Sequence, residues 1–197
     1  MSTELPAPIS LVPAEVLPEH APFFASNVRG RGYFNPWGVN VDPSPLRLLR
    51  WQLGSNPYKA QKRTRQAPVL ASDPRAEYLD RPAQGRVAWL GHASLLVTID
   101  GVTVLIDPVL GWAGPVPRKV PVPLPVAELP QVDVVAITHG HYDHLDAGAV
   151  KQLSARFGAD LLFVTPKGLA AALPRGTRAV ELGWWEAVAV RGVDVCL

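Results

Sequence analysis

Cysteine is almost absent from this chain: Cys196 is the only one in 197 residues, so no internal disulfide framework can staple the fold. A lone thiol fits a reducing compartment. Long hydrophobic runs are missing too, and none approaches the ~20 residues that an apolar helix needs to cross a bilayer. The first twenty residues have prolines where a signal peptide would have an apolar core, and no basic stretch precedes them. A cytoplasmic location is therefore the expectation. Charge of either sign is also scarce in excess: the net value of +2 is too small to argue for a nucleic-acid partner, and none is expected. What remains is ordinary for a globular protein, with 48% apolar and 18% charged residues in a length that suits one domain and an extension.

Proline is the exception to this scarcity, with 21 residues placed mostly before residue 83 or between Gly114 and Pro130. Proline lacks an amide donor and disfavours helix at the residue before it, so both regions should be extended or irregular. Residues 1–83 are expected to form a Pro-rich, basic N-terminal extension and residues 84–197 the regular domain. The extension holds an aromatic patch, Tyr33-Phe34-Asn35-Pro36-Trp37, and then Leu46-Arg-Leu-Leu-Arg-Trp-Gln-Leu53. There Leu46, Leu49 and Leu53 share one helical face. From Pro43 to Ser72 no acidic residue occurs, while Arg47, Arg50, Lys59, Lys62, Arg63 and Arg65 accumulate. Such a segment is either a solvated arm packed over its own domain or a peripheral contact with an anionic membrane surface.

Strand formers dominate Val87–Leu90, Ser94–Ile99 and Val102–Ile106, and Asp100-Gly101 suits a two-residue hairpin turn with positive φ at both central positions. Val132–Ile137 reads as a buried strand. A helix should follow, capped by Asp146 and closed by Gly158, with Ala149, Val150, Leu153 and Phe157 as its apolar face. Leu161–Val164 is expected as a strand, Gly168–Leu173 as a short helix, and Val188–Val190 with Val193–Leu197 as a hairpin. Hairpin strands with interposed helices indicate an α/β layered domain. The chain stops inside that last strand, so the domain is expected to be incomplete at its C terminus.

The segment that carries chemistry is His139-Gly140-His141-Tyr142-Asp143-His144. A single histidine is more often a surface or core residue than a ligand. Three histidines and an aspartate crowded onto one loop after a hydrophobic strand serve no packing need, whereas divalent transition metals take imidazole nitrogen and carboxylate oxygen. Four such ligands can serve one ion, but two imidazoles at one end and an Asp-His pair at the other suit two neighbouring ions better. A two-metal site activates water and neutralises the oxygens of a phosphodiester.

Thr138-His-Gly-His-Tyr-Asp-His-Leu-Asp146 resembles the signature loop of the metallo-β-lactamase-fold hydrolases. Trp89-Leu-Gly-His-Ala-Ser94, Leu105-Ile-Asp-Pro108, Leu182-Gly-Trp-Trp-Glu186 and Phe34-Asn-Pro-Trp37 are similar to the branch that contains N-acyl-phosphatidylethanolamine-hydrolysing phospholipase D. The resemblance implies an αββα sandwich, of which this chain holds the N-terminal half, with two zinc ions at one edge. It implies that His139 and His141 bind one ion and Asp143 and His144 the other, the remaining ligands lying beyond Leu197. Asp143 would also orient the attacking water and so act in catalysis. Asp107 would lie behind the ligands and accept a hydrogen bond from one imidazole, or else simply start a turn before Pro108. His92 would sit at the edge of the active site without binding metal, or serve structure alone. Trp184 and Trp185 either line an acyl-chain pocket or pack in the protein, and neither takes a catalytic role.

Three functions follow as expectations. One is a zinc-dependent phosphodiesterase resembling phospholipase D, acting on a small-molecule or phospholipid-like substrate. Another keeps fold and metal but cleaves a lactone, amide or thioester, since the histidine loop supplies only activated water. The third is a truncated, non-catalytic protein that binds a membrane or a partner.

Overall fold

The structure, a computed structural model, describes residues 4–29, 32–35, 44–64, 85–111, 118 and 120–197. The chain divides into two units, residues 1–12 with 69–197 and residues 13–68. Ahead of the division lies the short strand β1 (Ile9–Ser10). The smaller unit contains the β2–β3 ribbon (Val28–Arg29 and Gly32–Tyr33) and helices α1 (Pro45–Leu53) and α2 (Lys59–Thr64). The stretch anticipated as irregular thus contains regular elements, and proline explains one of them: Pro45 occupies the first turn of α1, where its missing amide costs no hydrogen bond. Pro36, Trp37 and Arg65, singled out above, lie outside the described residues.

In the larger unit, β4 (Arg86–Gly91), β5 (Ser94–Ile99) and β6 (Val102–Ile106) form an antiparallel meander. Asp100 and Gly101 turn between the last two with φ of 47° and 73°, the left-handed pair that matches strand twist in a tight hairpin. From β6 the sheet continues in parallel through β7 (Val134–Ala136), β8 (Leu162–Pro166) and β9 (Ala179–Leu182), in sequential order. A smaller antiparallel sheet joins β1 to β10 (Glu186–Val190) and β10 to β11 (Val193–Cys196).

Helix α3 (Ala147–Phe157) connects β7 to β8. Its start is set by Asp146, whose Oδ1 accepts from the amides of Gly148 and Ala149 at 2.9 and 3.1 Å. Gly158, at φ 56°, ends it. The Arg156 guanidinium, near that end, donates to the carbonyls of Val126 and Leu129 and pins the Pro-rich loop over the helix. Gly168–Leu173 contains only a 3-10 turn at Ala170–Ala172. Pro166 and Pro174 leave too few residues between them to offset the cost of helix nucleation.

Strand alternation sorts the core into two layers. Leu105, Val135 and Phe163 face one side and pack with Val150 and Leu153 of α3. Val104, Val134, Ala136, Leu162 and Val164 face the other and pack with Val188 and Val195 of the smaller sheet. The result is an α/β stack of helix, six-stranded sheet and three-stranded sheet. No helix among the described residues is long and apolar enough to cross a membrane.

Leu153 is fully buried between α3 and the large sheet. Replacing it with alanine removes apolar contacts and leaves a cavity, so Leu153→Ala should destabilise the domain by about 2–5 kcal/mol. Exposed Lys151 on the same helix should tolerate alanine within about 0.5 kcal/mol. Urea denaturation of the two variants measures the difference.

Candidate metal centre

Parallel strands direct their carboxyl ends to one edge of a sheet, where open α/β folds bind ligands. Asp107 follows β6 there, and the loop from Thr138 to Asp146 follows β7. Backbone bonds from Asp107 N to Ala136 O and from Ile137 N to Val164 O, both 2.9 Å, extend the ladder to the site itself.

Asp107 is the buried member, with 2% of its surface exposed. Its backbone takes φ 42°, a left-handed conformation that aspartate tolerates better than most residues. Ser94 holds the bend: its hydroxyl donates to Asp107 O at 2.7 Å and accepts from Val109 N at 3.0 Å. The carboxylate is thereby aimed at the histidine loop. Its Oδ1 accepts from Thr138 N at 2.8 Å, and its Oδ2 faces Thr138 Oγ1 at 2.7 Å and His144 Nδ1 at 2.8 Å.

These contacts determine where the protons sit. A carboxylate accepts only, so the Thr138 hydroxyl donates to it and His144 carries its hydrogen on Nδ1. The Thr138 oxygen then accepts from its other neighbour, His139 Nδ1, at 3.0 Å. In their neutral forms His139 and His144 are then both left with a lone pair on Nε2. Burial, and then the charges of His144 and His141, hold His139 below the usual histidine range against the opposing pull of Asp107 and Asp143, which favours this neutral form.

The loop gathers its donors in two groups. His139 Nε2 and His141 Nδ1 face each other at 3.0 Å. Asp143 Oδ2 lies 3.9 Å from His144 Nε2 and 3.2 Å from His92 Nε2, and these three residues each offer an atom within 4.8 Å of the others. The His139 and His144 rings, with centroids 4.0 Å apart, join the groups. Asp143 is kept ionised below the usual carboxylate range: desolvation opposes this, but its own backbone amide, the His92 hydrogen bond and the charges of His144 and His92 outweigh it.

His92 enters the cluster from the β4–β5 turn, at φ 51°. Trp89 Nε1 donates to the His92 carbonyl at 2.8 Å and closes that turn. His92 is thus a direct partner of Asp143, although 51 residues separate the two in sequence. Thr138 stands in the motif quoted above without an assigned role, and Asp146 with its helix cap alone. Thr138 relays the Asp107 hydrogen bonds to His139, and Asp146 both caps α3 and accepts from Gly111 N at 2.9 Å, tying the loop after β6 to the helix. Trp184 and Trp185 lie in the β9–β10 turn, held by Glu186, which accepts from Gly183 N and Lys167 Nζ.

Two ligand atoms bound to one ion at about 2.0–2.2 Å each stand roughly 3–4 Å apart. The His139–His141 and Asp143–His144 separations both fall in that range, and each donor type suits a divalent transition metal. The residues present therefore fit a metal centre, with His139 and His141 on one side and Asp143, His144 and His92 on the other.

Residues 102–196 match the model of the β-lactamase superfamily domain. An uncharacterized protein of Mycobacterium tuberculosis is 35% identical over 179 residues, covering 80% of this chain and 45% of that protein. An N-acyl-phosphatidylethanolamine-hydrolyzing phospholipase D of Caenorhabditis elegans is 40% identical over 88 residues, 41% of this chain and 24% of the relative. A metal-dependent hydrolase of Anaeromyxobacter dehalogenans is 44% identical over 85 residues, 42% of this chain and 28% of the relative. The chain spans less than half the length of each of these curated relatives. Residues 102–196 therefore carry a β-lactamase superfamily domain, and the layered fold with the histidine loop at its strand ends agrees with that match.

Proposed function

We propose that this protein is a metal-dependent hydrolase that uses zinc and cleaves phosphodiesters of a phospholipid-like or small-molecule substrate. The observation that carries the reading is the hydrogen-bonded chain from Asp107, which holds the hydrogens of neutral His139 and His144 on Nδ1 and leaves the Nε2 of each free to take a metal. The names of the Anaeromyxobacter and Caenorhabditis relatives support hydrolysis and the phosphodiester class respectively.

Zinc held by this set would supply Lewis acidity, polarising a substrate oxygen and acidifying water. The chain's own residues do the rest. Asp107 fixes the tautomer and direction of His144 and, through Thr138, those of His139. His92 holds the Asp143 carboxylate, which is ionised and able to orient a water toward phosphorus and to accept its proton. In-line displacement then joins the water oxygen to phosphorus and breaks the P–O bond to the leaving group, which takes up the proton held by Asp143 and departs as an alcohol.

Asp107→Asn keeps the size of the side chain but puts an amide where an acceptor is needed. It should weaken zinc binding about 10–100-fold, as is typical when a group supporting a ligand is lost. Competition with a chromogenic chelator measures this, and parental affinity in the variant would remove Asp107 from the role assigned to it.

Turnover of bis(p-nitrophenyl) phosphate by zinc-loaded protein tests the substrate class. Activity should vanish with a chelator, return with zinc, and fall by about two orders of magnitude or more in Asp143→Asn. Zinc-loaded protein that hydrolyses a lactone, amide or thioester but no phosphodiester would refute that class. A chain that takes up no zinc would refute the metal-dependent reading and favour a binding role.

A further inference from the structure

The first amphipathic helix has no place in the reaction above. At about 100° per residue, Leu46, Leu49 and Leu53 of α1 fall within an arc of roughly 60°, extended by Pro45 and Leu48 with Gln52 between them, while Arg50 borders the arc and Arg47 lies opposite it. Ordinarily such an arc is buried. Here Leu46 is 63% exposed, Leu49 52% and Leu53 78%, and Trp51, beside Leu48 at the border of the arc, is 77% exposed.

We propose that α1 docks on an anionic lipid surface, with its leucines in the acyl boundary and its arginines at the phosphates. Charge complementarity is the first argument. Arg47, Arg50 and Lys59 are exposed, and the sequence from Pro43 to Ser72 offers no carboxylate to neutralise them. Apolar area is the second. A nucleic acid would meet the cations but leave the leucines in water, whereas a second copy would bury the leucines but bring identical cations together. An anionic bilayer surface satisfies both, because long arginine side chains reach the headgroups while leucines enter the apolar boundary. Trp51 stands where an indole is favoured, between the apolar arc and Arg47. This inference goes beyond the hydrolase reading and does not depend on it.

The test is co-sedimentation of the 197-residue chain with vesicles of phosphatidylcholine, alone or with phosphatidylserine added. The chain should bind the phosphatidylserine vesicles at least about tenfold more strongly, and raised salt should weaken that binding. The double variants Arg47→Gln with Arg50→Gln and Leu49→Glu with Leu53→Glu should each lose about tenfold or more in affinity. A second readout is independent of both: binding should shift tryptophan emission to the blue, and Trp51→Phe should remove most of that shift. Chelator-treated protein should bind vesicles as well as zinc-loaded protein does, which separates this result from the fate of the hydrolase. Equal binding to both vesicle types, parental affinity in both double variants, or an emission shift unaffected by Trp51→Phe would overturn the proposal. So would binding of duplex DNA, or leucine-dependent dimerisation, by a chain that ignores both vesicles.

Discussion

Asp107 places a carboxylate in a site where 3% of its side chain remains exposed, and it is accommodated there because three donors converge on it. An isolated charge at that depth would be costly. The bonds that remove the cost are the same ones that order the site. Thr138 N and Oγ1 fix the first residue of the loop, His144 Nδ1 fixes its last histidine, and the Thr138 oxygen passes the constraint to His139. Removing Asp107 would therefore leave several groups without partners at once.

The rest of the fold serves to bring that carboxylate to that loop. Parallel pairing of β6 with β7 sets Asp107 beside the start of the histidine segment, and Ser94 on β5 holds the left-handed bend. Asp146 then links the loop after β6 to α3, while α3 packs on the sheet through Val150 and Leu153. The β4–β5 turn adds His92 from the opposite direction. Two residues of the centre, His92 and Asp107, hold left-handed backbone, a conformation that a non-glycine residue keeps only where its surroundings compensate.

Much of this was legible in the residues because local chemistry decides it. Asp100-Gly101 marks a hairpin by its φ requirement, and Asp146 with Gly158 brackets α3 by capping. The spacing from His139 to His144 sets metal-type donors together on one loop, and the structure keeps them within a few ångströms of one another. What was not legible depends on partners distant in sequence. β1 has two residues and is a strand only because β10 lies beside it, and β9 has four with modest strand propensity, ordered by β8. The His92–Asp143 contact has no local signal, since a turn and a loop meet only once the sheet has formed. The relay through Thr138 likewise needs the parallel register, because a threonine before a histidine is unremarkable in sequence.

The central claim is a statement about hydrogens on named nitrogens, so histidine-selective 15N NMR tests it most directly. In the metal-free chain, His139 and His144 should both show the Nδ1–H tautomer, with unprotonated Nε2. Added zinc should shift the Nε2 resonances of both while their Nδ1 hydrogens remain. Nε2–H tautomers at either residue, or zinc that moves neither signal, would contradict the account.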